Sequence, residues 1–132
     1  MKTEVDIRDD VYFLLKESDL IGEVSGKLSK TLRPEDSDKE DVVVSLLTPV
    51  PYRQVQEVYL NVNVYVADIK RDNHYEENTI RLRKLITLCK NAFGLAVGKP
   101  YRLTLEEQKV MAVPGKNEHF INNKVLYQYC NG

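Results

Sequence analysis

Apolar and polar residues alternate without a break from Val58 to Val66. Val58, Leu60, Val62, Val64 and Val66 take one parity, and Tyr59, Asn61, Asn63 and Tyr65 the other. A period of two is that of a strand with one face in a core, so residues 54–69 are predicted as a long strand. Elsewhere the period becomes helical. Ile7, Val11, Leu14 and Leu15 form one stripe, which predicts a first helix over 7–17 with Asp6 and Asp9 at its acidic start. Leu82, Leu85, Ile86, Cys89, Ala92 and Phe93 share a face, predicting a second helix over 76–93. Glu76 and Glu77 would occupy its first turn, where the helix dipole favours acids. Gly94 or Gly98 stops it, and Pro100 marks the end.

The remaining segments read as strands and turns. Gly26–Leu32 is a short strand with Leu28 and Leu32 pointing inward. Residues 33–41, RPEDSDKED, hold too much charge to bury themselves and are expected to form a mobile charged loop. The β-branched run Val42-Val43-Val44 reads as a strand buried on part of both faces, followed by a turn at Val50-Pro51-Tyr52. Asp68–Tyr75 is a polar connection. Tyr101, Leu103 and Leu105 have the opposite parity to Val110 and Ala112, which places a bulge near Glu106-Glu107-Gln108. Pro114-Gly115-Lys116-Asn117 is a turn. Lys124–Cys130 closes the chain as a strand with Val125, Tyr127 and Tyr129 on one face. The order is α-β-β-β-α-β-β. Short connections imply a mainly antiparallel sheet of about five strands, with two helices covering one face. That is an α+β two-layer sandwich, formed as a single domain over 1–132. Its second face and its edges are open to another subunit.

Composition removes several alternatives. A net charge of -1 and a pI near 6.1 give no global attraction to nucleic acid or anionic lipid. No apolar run is long enough to cross a bilayer, and the N-terminus lacks the apolar core of a secretory signal. Cys89 and Cys130 show no metal-type spacing, so a reduced, intracellular chain is expected. Cys89 falls at a helical core position, and Cys130 near the end reads as free and exposed.

Catalytic chemistry is hard to assemble from these residues. His74 and His119 are the acid–base candidates. They lie in separate predicted loops with no supporting pattern, and exposed loop histidines are the plainer reading. Asp36, Asp38, Glu40 and Asp41 sit at near-alternate positions, as in a calcium loop. They lack its central glycine and terminal bidentate acid. There is no glycine-rich phosphate cradle, no GxSxG and no HExxH. No catalytic, cofactor-binding or metal-binding residue is therefore expected. Arg81, Arg83 and Lys84 make a basic cluster, which keeps open a small ligand- or nucleic-acid-binding module that also uses the open sheet. The chain has eight Tyr against three Phe and no Trp. Tyr59 and Tyr65 flank Asn61 and Asn63, and Tyr127 and Tyr129 are expected beside them. Such a face is either a half-exposed sheet surface or a protein contact.

The element order, the Pro-containing charged loop, the Val58–Val66 strand, the leucine-striped helix and the closing Lys124–Cys130 strand together resemble the tail-completion and head–tail joining proteins of tailed bacteriophages and prophages. The resemblance spans most of the chain. It implies a non-enzymatic subunit of a homo-oligomeric ring, typically a hexamer, that caps the tail tube and docks on the head connector. DNA would pass through the lumen without sequence-specific binding, and no membrane or cofactor is involved. Assembly would take place in the host cytoplasm, and the product would reside in the virion. Tyr59, Asn61, Asn63 and Tyr65 would then lie at a subunit contact. Arg33, Glu35, Asp36, Asp38, Lys39, Glu40 and Asp41 would form a docking loop.

Overall fold

The computed structural model describes residues 2–47, 54–55 and 57–129, with backbone alone at 54–55. The turn expected at Val50–Tyr52 and the expected exposure of Cys130 lie outside the described residues. In chain order the elements are β1 (Lys2–Thr3), α1 (Glu4–Lys16), α2 (Asp19–Glu23), β2 (Leu28–Lys30), β3 (Val42–Leu46), β4 (Gln54–Val55), β5 (Glu57–Ala67), β6 (Ile69–Arg71), β7 (His74–Glu76), α3 (Thr79–Gly94), β8 (Tyr101–Ala112) and β9 (Glu118–Tyr129).

α1 begins three residues before the predicted start because Thr3 is its cap, not Asp6. The Thr3 hydroxyl accepts from the Asp6 N–H at 3.2 Å, and the Asp6 carboxylate accepts from the Thr3 N–H at 3.0 Å. This reciprocal pair satisfies two donors that the first turn leaves without partners. Ser18-Asp19, read as a breaker, instead opens the short helix α2. α3 begins at Thr79 because Asn78 caps it, accepting from the Arg81 N–H at 3.2 Å. Glu76 therefore belongs to β7, and Glu77 precedes the cap. The expected polar connection before α3 is a hairpin. Asp72 (φ 45) and Asn73 (φ 70) supply the left-handed pair that a tight two-residue turn demands.

Five strands form the main sheet in the order β2-β3-β5-β9-β8. β3, β5, β9 and β8 are antiparallel neighbours, while β2 lies parallel to β3. Short connections favour antiparallel neighbours, but residues 31–41 are long enough to carry the chain back for a parallel pairing. β2 stops at Lys30, because Thr31 (φ 71) turns the backbone out of the strand. Leu32 consequently ends 76% exposed, not inward as the alternation suggested. The β8 register shifts between Leu105 and Glu107, where the parity change placed a bulge. Gly115 (φ 74) takes the left-handed position in the turn between β8 and β9.

α1 and α3 cover one face of this sheet. The core joins Ile7, Val11, Leu14 and Leu15 of α1 and Leu82, Leu85 and Cys89 of α3 to Val42, Val44, Leu60, Val62, Val64, Ile121, Val125 and Tyr127. The register sets Val125 opposite Leu60 and Tyr127 opposite Val58. Tyr127 and Tyr129 therefore share the core-side parity and do not join the Tyr59 face. Tyr127 ties the layers together. Its ring stacks on Tyr101 at 4.8 Å, and its hydroxyl donates to Asp10 of α1 at 2.6 Å. Burial, then the Asp10 carboxylate, pushes its ionisation well above the ordinary tyrosine range.

Leu85 lies at the centre of this packing, fully buried. Leu85→Ala should lower stability by about 2–5 kcal/mol, the usual cost of a methylene-deleting core cavity. Urea unfolding followed by circular dichroism would read this as a lower midpoint at unchanged slope.

Candidate assembly surface

Among the described residues the second face of the sheet carries no helix, and its surface follows from strand parity. Tyr59, Asn61, Asn63 and Tyr65 of β5 point away from the core, beside Leu126, Lys124, Asn122 and Phe120 of β9. Ser45 and Val43 of β3 flank Asn61 and Asn63. The Asn122 amide donates to the carbonyl oxygens of Asn61 at 3.1 Å and Asn63 at 2.7 Å. Both side-chain carbonyls are thereby engaged, and what Asn61 and Asn63 retain for a partner are amide donors.

The two ends of this face differ. At one, Tyr59 is 38% exposed with the Lys124 ammonium 4.7 Å over its ring. At the other, Tyr65 stacks on Phe120 at 5.5 Å, and the Arg33 guanidinium lies 4.1 Å above the Tyr65 ring. The chain from β2 to β3 thus crosses the open face and covers its Tyr65 end. The four predicted interface residues do share one surface, but only its Tyr59 half is left uncovered by this crossing.

Arg33 holds the crossing in place. Its Nε donates to Asp41 at 2.7 Å, Nη1 and Nη2 donate to the two Glu118 oxygens at 2.6 Å each, and Nη2 also reaches the Lys39 carbonyl at 2.8 Å. The Arg33 side chain is 14% exposed, Asp41 2% and Glu118 3%. Buried charges at these values require partners in good geometry, and the planar guanidinium fork supplies it. Burial alone would weaken the Arg33 charge, but the hydrogen bonds it donates to Glu118 and Asp41 outweigh it and raise its pKa. Burial likewise acts to raise Asp41, yet Arg33, Ser37 and the Lys27 N–H together lower its carboxyl below the ordinary 3.8.

The next residue back is fixed from the helical side. Glu40 accepts from Arg81 Nε and Nη2 of α3 at 2.7 Å each, and Arg81 also bonds the Glu23 carboxylate at 2.9 Å and its carbonyl at 3.0 Å. Gly26 is required here. A Cβ at that position would lie 2.6 Å from the Glu40 carbonyl oxygen. The Lys116 ammonium adds a bond to the Ser37 carbonyl at 2.7 Å.

These contacts divide the predicted docking loop. Arg33, Glu40 and Asp41 are internal ties and cannot serve as docking contacts while the fold is intact. Glu35, Asp36, Asp38 and Lys39 are exposed. The basic cluster on α3 is divided as well, because Arg81 pairs with Glu23 and Glu40, and Lys84 with Glu23 at 3.1 Å. Arg83 remains exposed.

The two histidines stay apart, with no contact between them among the described residues. His119 Nδ1 meets Asp68 at 2.6 Å, and Nε2 lies 4.0 Å from Glu77. His74 is 62% exposed beside Glu76 at 3.7 Å. Cys89 is buried, and that burial, partly offset by the Asn123 amide, pushes its thiol up to about 11, which disfavours the reactive thiolate. Among the described residues no group of three or more His, Cys, Asp and Glu could hold a metal ion, and no helix is long and apolar enough to cross a membrane. No protein-family model matches this chain, and no curated protein matches it.

Sequence reading missed Glu118 as the partner of Arg33. The two are 85 positions apart, and neither has a local pattern that announces the other.

Arg33→Met would leave the buried Asp41 carboxylate without its counter-ion and Glu118 with Lys116 alone at 3.5 Å, and should cost about 3–5 kcal/mol, measured by urea unfolding at neutral pH. The same ion pair sets an acid dependence. Asp41 has a depressed folded pKa, so its contribution is complete above the unfolded value near 3.8 and is lost as pH falls through the lower folded value. Wild-type stability should therefore fall below about pH 4, and Arg33→Met should show a shallower acid slope in parallel urea titrations.

Proposed function

We propose that this chain is a structural assembly subunit of a tailed bacteriophage or prophage, a tail-completion or head–tail joining protein that forms a homo-oligomeric ring. The observation that carries this reading is the one-sided sandwich. Both long helices lie on one face of a five-stranded sheet, and the other presents Tyr59, Asn61, Asn63, Asn122 and Lys124. An exposed surface of tyrosine, amide and few acids is suited to burial against another protein. The two long helices and the five main-sheet strands follow one another as α-β-β-β-α-β-β, with α2, β1, β4, β6 and β7 as additional short elements, and this order also carried the sequence resemblance.

In this reading the ring is a hexamer that caps the tail tube and meets the head connector, in the host cytoplasm during assembly and then in the virion. The exposed carboxylates Glu35, Asp36 and Asp38 would face passing DNA or the next ring. Their charge would keep phosphates from adhering over roughly a Debye length of 10 Å. A nucleic-acid-binding module is less well supported. Lys124 and Arg33 already lie over the Tyr59 and Tyr65 rings that bases would need for stacking.

Light scattering on purified protein across a concentration series tests the proposal. The expected result is a discrete particle whose mass is a multiple of 15.3 kDa, either in free solution or on addition of tail tubes. A monomer at every concentration that also fails to cap purified tail tubes would overturn it.

A further inference from the structure

The β6–β7 hairpin stands outside the core. Residues 70–75 are all exposed, and Ile69 and Glu76 at its base are half-buried. Its pairing is internal, Ile69 with Glu76 and Arg71 with His74, so what fixes it to the body acts at its two feet. Both feet are acids. Asp68 precedes β6 and Glu77 follows β7, and one imidazole from the main sheet lies between them. His119 Nδ1 is 2.6 Å from the Asp68 carboxylate, and Nε2 is 4.0 Å from that of Glu77.

The two feet are held differently. The Asp68 side chain is 7% exposed, and its backbone N–H donates to the Asn117 carbonyl at 3.0 Å. Glu77 is 49% exposed, and at its distance it meets the ring as an ion-pair partner, not through a hydrogen bond. An ionised carboxylate only accepts, and a neutral imidazole has a single N–H. The short contact with Asp68 claims that N–H at Nδ1. A neutral ring then turns the Nε2 lone pair toward the Glu77 carboxylate, and two acceptors oppose each other. A second proton, on Nε2, converts that opposition into attraction. Only the imidazolium satisfies both feet.

The other charges around the ring are already engaged or do not change with pH. Glu118, the preceding residue of β9, turns to the opposite face and is taken by Arg33 and Lys116. Val66 and Ala112, opposite His119 on the flanking strands, are uncharged. Within the hairpin, Arg71 and His74 are directed at Glu76, at 2.9 and 3.7 Å, and Lys70 lies over the Tyr75 ring. On α3, Arg81 is bound to Glu23 and Glu40. Arg83 lines a groove with Glu77, but an arginine keeps its charge throughout.

We propose that His119 is a pH-sensitive latch on the β6–β7 hairpin. With Nε2 protonated it holds both feet. As pH rises through the histidine range, between about 5 and 8, the proton leaves Nε2, Asp68 keeps its bond, and the Glu77 foot is released to swing about Asp68. The docked hairpin is the state that favours the proton, so docking is complete on the acid side of that window and weakens as pH rises. The release acts at a definite place. With Ile69, Arg71, Thr79 and Ile80, Glu77 lines a cleft of about 380 Å³ between the hairpin and the start of α3, and the moving foot widens it. The latch operates alike in a monomer and in a ring.

NMR on the ¹⁵N-labelled protein between about pH 5 and 8 tests it. The His119 ring nitrogens should show the proton lost from Nε2 and kept on Nδ1. Over the same interval, amide exchange across the β6–β7 pairing, corrected for its chemical pH dependence, should lose protection by roughly twofold to fivefold, the range of a partly exposed ion pair. Glu77→Gln, at a position outside the core, should make that protection independent of pH, and His119→Gln should do the same. His74→Gln removes the hairpin's own histidine and should leave the response unchanged. Constant protection across the range in the wild type would overturn the latch. So would a neutral ring protonated on Nε2, a response that survives Glu77→Gln, or one abolished by His74→Gln.

Discussion

The crossing from β2 to β3 is held by two arginines that approach it from opposite sides, and most of what is particular to this fold follows from that arrangement. Asp41 turns toward Arg33 above the open sheet face, while Glu40 turns toward Arg81 beneath the helical layer. Adjacent residues pointing to opposite faces is the ordinary geometry of extended chain. Here it lets one short segment carry an ion pair into each layer. A parallel pairing usually has a helix in its crossover to cover the sheet. This crossover has none, and charge-assisted hydrogen bonds hold it in the helix's place. Such bonds are directional, so they specify one path for the chain, although burying their charges offsets much of the attraction.

The same crossing determines which part of the open face is available. Arg33 over Tyr65 and the stacked Phe120 close one end, leaving Leu47, Tyr59, Lys124 and Leu126 at the other. The surface has direction as a result, with a protected end near the β8–β9 turn and an end away from it that is uncovered among the described residues. The free edge of β8 is less available than its length suggests. A bulge and the charges Arg102, Glu107 and Lys109 interrupt it, which are the features that discourage edge-to-edge pairing. A broad face contact, not strand addition, is the association that these features leave open.

Much of the architecture could be read from residue order. The alternation from Val58 to Val66, the stripes of Ile7–Leu15 and Leu82–Phe93, and the parity change in β8 all report local periodicity, and each appears where the pattern put it. Errors arose where a single hydrogen bond or φ value decided the matter. Thr3 took the cap that Asp6 was expected to hold, Asp72-Asn73 made a hairpin of a polar stretch, and Thr31 turned Leu32 outward. A helix cap is worth only about 1 kcal/mol, and hydrophobic pattern reports neither caps nor single left-handed residues.

What the sequence by itself determined is the set of surfaces. Period-two and period-3.6 spacing specify which side chains share a face whatever that face later meets, so Tyr59, Asn61, Asn63 and Tyr65 were bound to lie together. What only the tertiary structure decided is which charges remain on the outside. Arg33, Glu40, Asp41, Arg81 and Glu118 come from three distant segments, and in the sequence each resembles an ordinary solvated residue. A buried ion pair depends on three-dimensional proximity and on exclusion of water, neither of which has a period along the chain. For that reason the acid-rich segment 33–41 read as a loop free to dock, whereas folding draws both of its ends inward and leaves only Glu35, Asp36, Asp38 and Lys39 to the surface.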